Sequence, residues 1–153
     1  MSQKTDFRLA SSSEIELITS FQIKMAKETE NLDLNLETVT KGVSAVFEDK
    51  QRGDYFVALQ DNIVVGCLLM TKEWSDWRNG YVCWIHSLYI KPEYRGKKLF
   101  SNFYIYLQKY INSQVDCFGL RLYVDKKNIS AQKIYSKLGM NQDHYLLYEK
   151  MKS

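Results

Sequence analysis

The chain has 153 residues, 45% hydrophobic and 25% charged, with 21 Lys and Arg against 18 Asp and Glu and a net charge of +3. Those values fit one domain over 1–153 with a core of its own and exclude a disordered chain. The slight basic excess also argues against a nucleic-acid binder, because the basic doublets, Lys97-Lys98 and Lys126-Lys127, fall in expected loops.

Asp6 to Ala10 reads as a short strand. Ser11 to Ser13 offer helix caps ahead of Glu14, and Leu17, Ile18, Phe21 and Met25 keep helical spacing. A polar break from Glu28 to Asn35 ends that helix. Leu36, Val39, Val43, Val46 and Phe47 mark a second helix, closed by Arg52-Gly53-Asp54. The hydrophobic period then drops to about two. Tyr55 to Gln60 and Ile63 to Glu73 form a hairpin around Asp61-Asn62. Tyr81 to Ile90 follows a turn region from Ser75 to Gly80, and its apolar run Val82-Cys83-Trp84-Ile85 suits a central strand. Leu99, Phe103, Leu107, Tyr110 and Ile111 predict a helix, and Leu120 to Val124 a strand. Ala131, Ile134, Tyr135 and Leu138 predict a short helix capped by Asn128 or Ser130 and stopped by Gly139. Tyr145 to Met151 reads as a last strand. The order is β-α-α-β-β-β-α-β-α-β. The late strand-helix-strand unit implies one parallel pair in an otherwise antiparallel sheet, an α+β fold with helices on both faces.

Cys67, Cys83 and Cys117 show no Cys-x-x-Cys spacing, so reduced, buried thiols in a cytoplasmic protein are expected rather than a metal site or a disulfide framework. The first ten residues carry no leader-like apolar run. No stretch is long and apolar enough to predict a membrane span.

The chemistry concentrates where the central strand runs through Leu88, Tyr89 and Ile90 into Lys91-Pro92-Glu93-Tyr94-Arg95-Gly96-Lys97-Lys98, and a helix begins at Leu99. Unpaired N–H groups in a first helical turn attract anions, and Arg95, Lys97 and Lys98 add charge. Taken alone, the same loop also reads as an ordinary connection with solvated cations.

Two stretches together carry more: Tyr89-Ile90-x-Pro92-x-Tyr94-Arg95-Gly96, and Asn128-x-x-Ala131-x-x-x-Tyr135-x-x-x-Gly139-Met140. They resemble motifs A and B of the GNAT (Gcn5-related N-acetyltransferase) superfamily, whose element order is the one read above. The resemblance implies acetyl-CoA as cosubstrate, no metal, and acetyl transfer by direct attack of an amine on a small molecule, protein or peptide. It places the acetyl group and pantetheine arm along Leu88, Tyr89 and Ile90, and the pyrophosphate on Arg95, Gly96, Lys97, Lys98, Leu99, Phe100 and Ser101. Asn128 would touch the pantetheine and Tyr135 would face the sulfur as acid. Family habit implies a homodimer. One departure matters: Lys98 and Phe100 occupy positions where the family's phosphate loop carries small residues. The alternative is therefore a GNAT-like module that holds CoA without turnover.

The other roles rest on local chemistry. His86 precedes Leu88 by two residues, and alternation predicts that it shares a face with Leu88 and Ile90, as a base or as a hydrogen-bonded sheet histidine. His144 is expected at the surface. Glu28 and Glu30 end the first helix, where they could bind a cationic amine or be solvated. Trp74, Asp76 and Trp77, beside Arg78, could cage an ammonium or form a packed turn or subunit contact. A Cys83–His86 nucleophile pair is rejected, because residues three apart on a regular strand face opposite sides.

Overall fold

The computed structural model describes residues 3–153. Contacts group them into a first unit ending at Tyr123 and a second from Val124 to Ser153. In the first, β1 (Thr5–Leu9) is followed by α1 (Ile15–Glu30), α2 (Leu36–Glu48), β2 (Asp54–Gln60), β3 (Ile63–Ser75), β4 (Gly80–Ile90), α3 (Leu99–Asn112) and β5 (Cys117–Leu122). The sheet order is β1-β2-β3-β4-β5. The first three pairings are antiparallel and β4–β5 is parallel, as the helix between those two strands requires.

Alternation along β2 sorts the core into two layers. Tyr55, Val57 and Leu59 join Ile18 and Phe21 of α1 and Val43 and Val46 of α2 in one buried cluster. Phe56 points the other way and meets Tyr110 of α3 with ring centroids 5.0 Å apart, while Phe103 of α3 stacks on Phe7 of β1 at 5.0 Å. Local chemistry fixes the helix starts. The Glu14 carboxylate accepts from the Ser11 backbone N–H at 2.9 Å, and Asn35 Oδ1 accepts from the Thr38 N–H at 2.9 Å.

The second unit holds α4 (Ile129–Lys137). Asn128 Oδ1 caps it by accepting from the Ala131 N–H at 3.1 Å. The expected stop at Gly139 is present at φ 87°, with the Met140 N–H on the Tyr135 carbonyl at 3.0 Å and the Gly139 N–H on the Ser136 carbonyl at 3.1 Å. This is the paired-bond helix ending that a left-handed C′ glycine permits.

Two expectations need correction. The strand expected over Leu120 to Val124 begins earlier, at Cys117, and ends at Leu122. Tyr145 to Met151 forms no strand: the segment has no ladder, and Tyr145, Leu146, Leu147, Tyr148 and Met151 are all exposed. An apolar, β-prone pattern becomes a strand only where a partner supplies hydrogen bonds. Among the described residues no helix is long and apolar enough to cross a membrane.

Candidate functional site

The site grows from one irregularity in β4. Leu69 of β3 pairs with His86, but Cys67 pairs with Tyr89, so two steps on β3 oppose three on β4. The extra residue makes a bulge, and Ser87 within it has φ 51°, a left-handed conformation that costs a non-glycine residue roughly 1–2 kcal/mol. Because Leu69 and Cys67 share a face of β3, His86 and Tyr89 share the corresponding face of β4. The simple alternation that grouped His86 with Leu88 and Ile90 is therefore broken at Ser87.

The other edge of β4 changes partner at the same place. The β4–β5 pairing runs from Tyr81↔Cys117 to Ile85↔Leu122 and stops, whereas β4 continues to Ile90. From His86 to Ile90 only the β3 side is laddered. That leaves a length of open sheet edge at Leu88, Tyr89 and Ile90, able to hydrogen-bond an extended amide chain. Gly66 makes this path possible. A Cβ there would lie 2.8 Å from the Tyr89 carbonyl oxygen, closer than a side chain tolerates.

Beyond Ile90, Pro92 opens a short 3-10 turn and Gly96 takes φ 75°. Lys98, the N-cap of α3, has φ 61° and gives the first turn no side-chain acceptor. The lysine thus adopts the left-handed conformation that glycine favours, and the Leu99, Phe100 and Ser101 turn begins without a competing cap. Lys97 and Lys98 are exposed, and the half-buried Phe100 ring lies 6.5 Å from that of Tyr104 on the same helix.

Arg95 turns back toward the sheet. Its Nε donates to the Ile90 carbonyl at 2.7 Å, its guanidinium lies 5.5 Å over the Tyr89 ring, and its two terminal nitrogens clasp the Glu28 carboxylate, Nη2 to Oε2 at 3.0 Å. The Arg95 hydrogen bond holds the Glu28 carboxyl below the usual range. Glu28, expected at the acceptor, therefore anchors the end of α1 to this arginine. Glu30 is exposed on the last turn of α1.

A second group of side chains occupies the His86 face. His86 Nε2 lies 2.8 Å from Thr71 Oγ1, and its ring lies near Trp84 and Tyr123. Trp84 and Tyr123 approach to 4.6 Å between centroids. Arg121 reaches over Trp84 at 6.0 Å and bonds Glu73 at 2.9 Å. Burial lowers the His86 pKa from its ordinary value, leaving the imidazole neutral at pH 7. Sequence reading missed this shelf of Thr71, Glu73, Trp84, Arg121 and Tyr123. Its members come from three strands and from Tyr123 just past β5, and only the register joins them.

The hairpin aromatics do not converge on it. Trp74 lies five residues beyond Leu69 on a strand with no further shift, so it faces the opposite side and packs edge-on against Tyr81 at 5.1 Å. Asp76 Oδ1 accepts from the Trp77 backbone N–H at 3.0 Å, and Trp77 stands 91% exposed at the tip. In the second unit, Asn128 is the helix cap described above, and burial raises the Tyr135 phenol above its usual pKa.

The model of the acetyltransferase (GNAT) family matches residues 22–140. The chain belongs to the GNAT family. Its fold is also that of a crystal structure described as a possible acetyltransferase from Clostridium difficile 630, at 37% identity, TM-score 0.89, covering 97% of this chain and 98% of that one. Two more distant neighbours share the fold: an aminoglycoside N-acetyltransferase in complex with CoA (12% identity, TM-score 0.77, coverage 100% and 98%) and a ribosomal-protein-alanine N-acetyltransferase from Brucella melitensis biovar Abortus 2308 (13%, 0.78, 97% and 100%). The search of curated proteins found no match. As a GNAT acetyltransferase, the chain transfers acetyl groups with acetyl-CoA as the family's donor. The open edge of β4 suits the amides of a pantetheine arm, and the uncapped start of α3 suits a pyrophosphate.

Proposed function

We propose that this GNAT protein is an N-acetyltransferase that acetylates a primary amine of a small molecule or peptide by direct attack. The observation that carries the reading is the parting of β4 from β5 after Ile85, where a bulge brings Tyr89 onto the face that His86 shares with the Trp84–Tyr123 shelf.

Acetyl-CoA supplies the acetyl group as a thioester with a thiol leaving group. Leu88, Tyr89 and Ile90 would hold the donor through their backbone, with Lys97, Lys98 and the Leu99–Ser101 turn at its phosphates. On the acceptor side, Trp84 and Tyr123 offer ring faces to the amine, bordered by the Glu73 carboxylate that Arg121 holds. His86, neutral and oriented by Thr71, takes the proton that the ammonium must lose, directly or through one water. Backbone N–H groups at the β4 edge donate to the oxyanion that develops as the amine attacks. By the motif resemblance alone, Tyr135 is the acid that protonates the departing sulfur. Its raised pKa keeps that proton in place until the thiolate forms.

The test is release of free thiol from acetyl-CoA by the purified protein across a panel of alkyl, aryl and peptide amines. Amine-dependent release, with Trp84→Ala raising the acceptor KM, supports the reading. Acetyl-CoA binding without thiol release for any amine identifies the CoA-holding module instead.

A further inference from the structure

Cys83 and Cys117 stand apart from the acyl-transfer chemistry. The β4–β5 register slips between Tyr81 and Cys83, so Cys117 lies opposite Tyr81. Tyr81 and Cys83, two residues apart, face the same side of the sheet, and Cys117 joins them there. The two sulfurs are 2.6 Å apart, inside the contact distance of two non-bonded sulfur atoms. Cys83 is 1% exposed and Cys117 is half-buried, so Cys117 is the more accessible residue of the pair. Cys67 takes no part: it lies on the opposite face, buried in the cluster beneath α1 and α2.

We propose that Cys83 and Cys117 form a dithiol site that low-molecular-weight disulfides oxidise to an intramolecular disulfide, stapling β4 to the start of β5, at the end of their ladder away from the point where the strands part. The Cys117 thiolate attacks one sulfur of the small disulfide, forming a mixed disulfide and releasing one thiolate. Cys83 then loses its proton to a departing small thiolate as it attacks Cys117 Sγ. The Cys83–Cys117 bond forms, and the second small thiolate leaves. Two protein thiols are oxidised by two electrons in all, and one small disulfide is reduced to two thiols. The cross-link closes the loop that carries α3, and added thiol reverses it.

Oxidised glutathione serves as the probe. After incubation with the full-length protein, remaining thiols are alkylated under denaturing conditions and the protein is weighed intact. The proposal expects a single alkyl group, on Cys67, together with loss of the mass of two hydrogens, and a peptide joining Cys83 to Cys117. It also expects a thermal midpoint raised by roughly 5–10 °C. Cys83→Ser should stop at a stable mixed disulfide on Cys117, and dithiothreitol should reverse both products. A wild-type protein that keeps all its thiols, or that carries only a stable mixed disulfide with no cross-linked peptide, overturns the proposal.

Discussion

Arg95 binds two parts of the fold at once: its guanidinium clasps Glu28 at the end of α1, and its Nε holds the Ile90 carbonyl where β4 ends. Both partners of the ion pair are more than a third exposed, so solvent screens it. Glu28→Gln should therefore lower stability by less than about 1 kcal/mol. Arg95→Ala should cost more, about 2 kcal/mol, because it also strips the Ile90 carbonyl of its donor. Urea unfolding of the two variants checks the order. Because Glu28's folded pKa is lowered, the pair's contribution is present above the ordinary carboxylate pKa and is lost as pH falls through that lowered value.

Gly66→Ala tests the route of β4. The added methyl group meets the Tyr89 carbonyl, and the strand must shift to relieve it. The KM for acetyl-CoA should rise about tenfold or more, equivalent to about 1.4 kcal/mol of donor binding, while the far-UV circular dichroism stays that of the parent. An unchanged KM would show that the Leu88–Ile90 backbone does not hold the donor.

His86 gives a pH signature. Burial lowers its folded pKa, so the unfolded chain binds more protons between the lowered and the ordinary value near 6.5. Stability from the neutral imidazole is thus present above about pH 6.5 and is lost as pH falls through the folded pKa. By NMR, the His86 ring should titrate below 6.5. The acidic limb of kcat/KM should follow it and vanish in His86→Gln, with kcat lower by about 10²-fold or more.

Tyr135→Phe keeps the ring and removes the proton. The expected outcome is kcat lower by about 10²–10⁴-fold with the KM for acetyl-CoA little changed, read by thiol release. Equal kcat in the variant would leave the phenol only a packing role.

Much of this fold is legible in the residue pattern because its signals are local. The Asp61-Asn62 hairpin, the step from period 3.6 to period two before β2, and the Gly139 helix stop each sit within a few neighbouring residues. The motif stretches also point to the right family. The bulge is different. Ser87 takes a left-handed φ that its side chain does not announce, and one extra residue reverses the facing of everything after it. The Trp84–Tyr123 shelf and the Cys83–Cys117 contact depend on register across strands, which alternation within one strand does not contain. Tyr145 to Met151 shows the converse, a strand-like pattern with no ladder to join.

The most direct test of the central claim is amide hydrogen exchange across β4, measured with and without CoA at saturating concentration. The open edge predicts that exchange over Leu88 to Ile90 slows on binding, while Cys83 to Ile85, already paired on both sides, changes little. Saturated binding with unchanged exchange at Leu88 to Ile90 would contradict the account.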